Sequence, residues 1–122
     1  MLAGAGTIIL SASNTFTGAT TVNNTVYLYD VNALGSAVTG TTINPGGTLQ
    51  VNGTNAFGNT GASITINTGA VLAANYSLDT NLLNYVVKSS SGVVALATAT
   101  GNNLDFSAAT GASLTNISLG AI

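Results

Sequence analysis

Residues 41–53 read TTINPGGTLQVNG, and residues 64–75 read ITINTGAVLAAN. Slid along itself so that Asn44 falls on Asn67, the sequence agrees at nine of 21 places between positions 32–52 and 55–75. The identical pairs are Asn32/Asn55, Ala33/Ala56, Gly35/Gly58, Thr42/Thr65, Ile43/Ile66, Asn44/Asn67, Gly46/Gly69, Leu49/Leu72 and Asn52/Asn75. Leu34/Phe57 keeps an apolar residue, and Gly46, Gly69 and Gly92 carry the same spacing further. A repeat of this length with no helix inside it constrains the fold more than any other feature. Each unit can bury its apolar side only against a neighbouring copy.

Gly, Thr, Asn, Ser and Val dominate the chain, and all are modest or poor helix formers. Short apolar alternations recur, each ended by Gly, Asn or Pro, which predicts strands. We expect them at Thr7–Ser11, Thr20–Val22, Val26–Tyr29, Thr41–Asn44, Thr48–Val51, Ser63–Asn67, Ala70–Ala74, Asn84–Lys88, Val93–Ala97, Asn103–Ser107 and Ser113–Leu119. No linker or shift in composition divides the chain, so residues 1–122 read as a single domain.

Alternation assigns the faces. Ile43, Leu49 and Val51 point inward, with Ile64 or Ile66, Leu72 and Ala74 one repeat later. Thr48 and Gln50 point outward. Leu28 lies inside between outward Tyr27 and Tyr29. Asn44 and Asn67 fall one repeat apart at a strand end, as do Asn52 and Asn75. Stacked amide side chains hydrogen-bond along parallel strands. Gly46 and Gly69 supply left-handed backbone for a bend at little cost. Hairpins of a β-sandwich use the same residue types but do not need one common register. The repeat therefore predicts an all-β, single-stranded parallel β-helix, or β-solenoid, of about 23 residues per coil and roughly five coils. Strands about 4.8 Å apart make this a rod on the order of 25 Å long.

Only 3% of residues are charged: Lys88 against Asp30, Asp79 and Asp105, with no Arg, Glu, His or Cys. A net charge of −2 excludes an electrostatic nucleic-acid binder, which needs several cations. It also removes the usual attraction to anionic membranes. No apolar run approaches the roughly 18–20 residues of a spanning helix. The opening MLAGAGTIIL carries no basic stretch of the kind that begins a secretory signal, so any export signal is expected elsewhere, or the chain is a segment of something longer. Asn-x-Ser/Thr sequons occur at Asn23, Asn52, Asn75 and Asn116, as chance supplies in a chain rich in Asn and Thr.

Little chemistry is on offer. Glycoside hydrolysis generally uses two suitably spaced carboxylates. Neither the interval from Asp30 to Asp79 nor that from Asp79 to Asp105 is a whole number of repeats, so no shared face is implied. Asp30 and Asp79 read as turn residues bonding local backbone, and Asp105 as an outward residue between Leu104 and Phe106. Lys88 is the sole candidate base for a lyase, with no Arg to neutralise an acidic sugar, and otherwise reads as an outward, solvated residue beside Val86 and Val87 that discourages aggregation. Ser-His and Cys-His mechanisms are excluded by the missing residues. We expect no enzyme, no catalytic residue, no cofactor and no metal site. Tyr27 and Tyr29 form an outward aromatic strip of the kind that stacks on sugars or a partner, although tyrosine also simply suits a pleated surface.

Several motifs in order carry a family resemblance: Gly6-Thr7-Ile8-Ile9-Leu10, then Asn14-Thr15-Phe16-Thr17-Gly18-Ala19-Thr20-Thr21-Val22, then Asn32-Ala33-Leu34-Gly35. Residues 6–53 resemble the passenger-associated repeat of bacterial autotransporter proteins. They depart from it at Phe16, where Tyr is usual, and at Asn23-Asn24-Thr25, which lacks the usual Gly. Residues 90–121 are similar to coil sequences of long surface proteins that carry the same repeat. The resemblance implies a right-handed parallel β-helix at the bacterial cell surface or outside the cell. It carries over no catalytic residue, because the repeat is a scaffold. The expected role is a structural surface scaffold that stacks end to end or against neighbouring coils of a longer chain. It would insert in no membrane. The alternative is an adhesin that binds a glycan or host surface through outward Tyr, Thr and Asn strips.

Overall fold

The computed structural model of the chain describes residues 1, 4, 6–15, 17–30, 32–35, 40–52, 63–75, 86–87, 89–97 and 118–121. Nine strands lie among them: β1 Thr7–Leu10, β2 Thr20–Val22, β3 Thr25–Leu28, β4 Thr41–Ile43, β5 Thr48–Val51, β6 Ile64–Ile66, β7 Val71–Asn75, β8 Val93–Ala97 and β9 Ser118–Ala121. No helix occurs among the described residues, and so none is long and apolar enough to cross a membrane.

All strand pairs are parallel. One sheet has six strands in the order β1-β3-β5-β7-β8-β9, and the other has three in the order β2-β4-β6. Val86 adds a parallel bridge to Ile64 at the edge of the smaller sheet. Three times in succession, a strand of the small sheet turns directly into a strand of the large one: β2 to β3, β4 to β5 and β6 to β7. We refer to each such pair as a layer. An all-β chain of parallel strands in two sheets is compatible with a β-solenoid.

The registers show where the sequence offset holds. Thr25 pairs with Thr48 and Thr48 with Val71, and Thr41 pairs with Ile64, each the same step that separates Asn44 from Asn67. Elsewhere the step changes. It is shorter from Thr7 to Thr25, from Thr20 to Thr41 and from Val71 to Val93, and longer from Val93 to Ser118. The connections between layers absorb the differences while the strands stay aligned. Asn103–Ser107, most of Asn84–Lys88 and the first residues of Ser113–Leu119 lie outside the described residues.

Alternation places the core between the sheets. Val22, Ile43 and Ile66 face it from the small sheet, and Val26, Leu28, Leu49, Val51, Leu72 and Val94 from the large one, all buried. Both Ile64 and Ile66 are buried, since residues two apart on a strand share a face. The side chain of Ala74 lies outside the described residues. A fully buried Leu or Ile contributes about 1.5–3 kcal/mol of apolar transfer, so these columns supply the driving force that charge and disulfides do not. Thr20 and Thr41 also face inward and are buried, in line with Ile64. At β1 the core thins. Ile8 and Leu10 are only partly buried, although their register partners Val26 and Leu28 are fully enclosed.

Candidate functional site

The turns that join the two sheets carry the repeated residues. In Asn44-Pro45-Gly46-Gly47 the Gly47 N–H donates to the Asn44 carbonyl at 2.8 Å, and in the next layer the Ala70 N–H donates to the Asn67 carbonyl at 2.9 Å. Gly46 and Gly69 both have φ of 83°. A positive φ at the third residue, with Pro at the second, is the signature of a type II turn. The turns also bond to each other, since the Gly46 N–H donates to the Gly69 carbonyl at 2.9 Å.

The asparagine ahead of each turn is tied to the layer before it twice. The Asn44 N–H donates to the Val22 carbonyl at 2.9 Å, and the Asn67 N–H to the Ile43 carbonyl at 3.0 Å. Their side chains follow the same direction. Asn67 Nδ2 donates to Asn44 Oδ1 at 3.0 Å, and Asn44 Nδ2 donates to Asn23 Oδ1 at 2.8 Å. Asn23 thus joins the column although its two-residue turn hides it from a comparison at one fixed offset. The ladder ends with Asn67. Position 89, opposite it, is Ser, and the neighbouring Ser90 is buried, with its Oγ accepting the Ile66 N–H at 3.0 Å. Thr68 and Ser91 share a hydroxyl hydrogen bond at 2.8 Å.

Gly92 plays a different part from Gly46 and Gly69. Val71 pairs with Val93, which sets Gly92 opposite Ala70 rather than Gly69. A Cβ on Gly92 would lie 2.3 Å from Ile66 Cγ2 and 2.7 Å from the carbonyl oxygens of Asn67 and Ala70. The connection from β7 into this layer is one residue shorter, since Ile64 faces Val86 and Val71 faces Val93, so the even spacing of the three glycines does not put them in one structural position.

Asn52 Oδ1 accepts Gln50 Nε2 of its own layer at 2.7 Å; the side chain of Asn75, its expected ladder partner, lies outside the described residues. Asp30 Oδ1 accepts the Asn32 N–H at 3.0 Å, an Asx turn. Asp79, Asp105 and Lys88 lie outside the described residues. Among the described residues no group of three or more His, Cys, Asp or Glu stands together. Tyr27 is half-buried, while Tyr29 is 49% exposed. Sequence reasoning missed the Gln50–Asn52 pair, which the i, i+2 spacing on one strand face would have revealed. Comparison with protein-family models, curated proteins and solved structures found no match for this chain.

Proposed function

We propose that this chain is a structural β-solenoid of the autotransporter-passenger type, with about 23 residues per coil and roughly five coils, serving at the bacterial cell surface or outside the cell. The observation that carries this reading is the asparagine column. Asn23, Asn44 and Asn67 direct their amide groups to one another, and the adjoining turns bond turn to turn. The repeated residues are therefore used to stack layers, which is what a scaffold requires and what a catalytic or ligand-binding loop does not. The motifs of residues 6–53 support the placement at the surface. The chain acts without enzymatic turnover, cofactor or metal, and binds no nucleic acid.

The same reading gives the chain a partner at its β1 side. β1 is the end strand of the large sheet, and Ile8 and Leu10 sit there half-covered above the closed core. Further coils, from a second copy or from a longer chain, complete that layer. Electron microscopy and sedimentation over a range of concentrations test this. Rods that lengthen with concentration, with a repeat of about 4.8 Å along their axis, are the expected result. A monomer at every concentration, with no filaments, overturns end-to-end association of this chain.

A further inference from the structure

The outer face of the large sheet carries a second ordered feature that layer stacking does not use. Ile9, Tyr27 and Gln50 stand side by side on β1, β3 and β5. The ladder runs one residue past these strands: the Tyr29 N–H donates to the Leu10 carbonyl at 3.0 Å, and the Asn52 N–H to the Leu28 carbonyl at 2.8 Å. Tyr29 and Asn52 therefore stand on the same face, two residues beyond Tyr27 and Gln50. Among the described residues the exposed large apolar side chains are Met1, Ile9 and Tyr29, and two of the three lie here. In the next strands of this column Ala73 and Ala95 are covered, at 4% and 6% exposure, so the open strip ends at β5.

The polar part of the strip is already arranged. Gln50 Nε2 donates to Asn52 Oδ1 at 2.7 Å. This leaves Gln50 Oε1 as an acceptor beside the two donors of Asn52 Nδ2. A fixed acceptor next to a fixed donor matches two neighbouring hydroxyls, each of which both donates and accepts. An aromatic ring alongside offers an apolar face to the C–H surface of a sugar, with a hydroxyl at its rim. Charge narrows the class further. The chain holds one Lys and no Arg, and Asp30 follows Tyr29 directly. An anionic sugar would lose its hydration with almost no cation in the chain to replace it.

We propose that this strip binds a neutral glycan, packed on Tyr29 and hydrogen-bonded by Gln50 and Asn52. The proposal rests on the sheet geometry and stands apart from the scaffold reading. The test is a panel of neutral oligosaccharides built from glucose, galactose and N-acetylglucosamine, alongside sialylated and sulfated ones, followed by calorimetry on the ligands retained. Neutral ligands are expected to bind with an affinity that salt does not change. Tyr29→Ala and Asn52→Ala are each expected to weaken binding at least about tenfold, and Tyr29→Phe to retain most of it. Because the Tyr29 ring is half in solvent, Tyr29→Ala should keep the wild-type unfolding midpoint, which separates lost binding from lost fold. Binding to acidic glycans alone, no binding at all, or wild-type affinity in both alanine variants overturns the proposal. So does a concentration-dependent dimer that Tyr29→Ala dissolves, since a second copy would then be the occupant.

Discussion

Asn67 and Asn44 stand in adjacent layers with the Nδ2 of one donating to the Oδ1 of the other at 3.0 Å, and Asn44 repeats the contact with Asn23 at 2.8 Å. Asn44 is thus the only member of the three that both donates and accepts within the column. Each amide also lies part-buried at the seam between the two sheets. A part-buried amide deprived of its partner costs about 1–3 kcal/mol, more than the net contribution of the bond itself.

Asn44→Ala is therefore expected to destabilise the chain by about 2 kcal/mol, and Asn23→Ala and Asn67→Ala by less. A double-mutant cycle between Asn44 and Asn67 should return a coupling of about 0.5–1.5 kcal/mol. Urea unfolding measures both. Equal effects of the three single changes, with no coupling, would show that the column is spatial coincidence.

Much of this fold was legible because parallel layers stack like on like. Thr20–Val22, Thr48–Val51 and Val93–Ala97 have the bounds that alternation predicts, and Ile43, Leu49, Val51 and Leu72 face the core as expected. Expected strands such as Val26–Tyr29 begin or end a residue or two away from the observed ones, because ladder hydrogen bonds rather than side-chain pattern set the limits. What escaped the sequence lies in the connections. The step between layers shortens by one residue at β8, which moves Gly92 out of line with Gly69. The two-residue turn hides Asn23 for the same reason. The covering of Ala73 and Ala95 on the outer face is a tertiary effect with no local signal. The candidate strip was half read: its tyrosines were visible as a pattern, and its Gln50–Asn52 pair was missed although the i, i+2 spacing carried it.

The two kinds of turn glycine should respond differently to a methyl group. Nothing crowds a Cβ at Gly46, so Gly46→Ala costs only the left-handed conformation, about 1–2 kcal/mol. At Gly92 the added carbon meets Ile66 Cγ2 and two backbone oxygens, all within 2.7 Å. Gly92→Ala is expected to lower the unfolding midpoint clearly more than Gly46→Ala. The reverse order in thermal melts would mean that Gly92 is not packed against Asn67 and Ala70.

The Thr41 hydroxyl is buried, and its Oγ1 has no partner among the described residues. The next layer carries Ile64 at the same register position and the layer before it carries Thr20. Replacing an unpaired buried hydroxyl with a methyl group of the same shape removes a desolvation cost. Thr41→Val should stabilise the chain by about 1 kcal/mol, seen as a higher urea midpoint with an unchanged slope. Destabilisation by a similar amount would place a partner at that hydroxyl.

Asp30 separates a structural from a chemical use of a carboxylate. Its Oδ1 accepts the Asn32 N–H at 3.0 Å, a bond that an amide oxygen makes equally well. Asp30→Asn should leave stability within about 0.5 kcal/mol of wild type, and Asp30→Ala should cost about 1 kcal/mol. Circular dichroism melts distinguish the two. If both variants lose stability alike, the negative charge itself is what the fold uses there.

The edge of β1 supplies the test of end-to-end growth at residue level. The Leu10 carbonyl accepts the Tyr29 N–H, so Leu10 turns its backbone groups toward β3. Successive residues of a parallel strand alternate in this, and the N–H and C=O of Ile9 therefore point to the open side. Proline at that position removes the edge donor that an added strand would use. Ile9→Pro is expected to leave a sedimenting monomer at concentrations where the wild type forms rods. Ile9→Lys keeps the edge N–H and places its charge on the outer face, and should still assemble. Rods of wild-type length from the proline variant would show that strands do not add at β1.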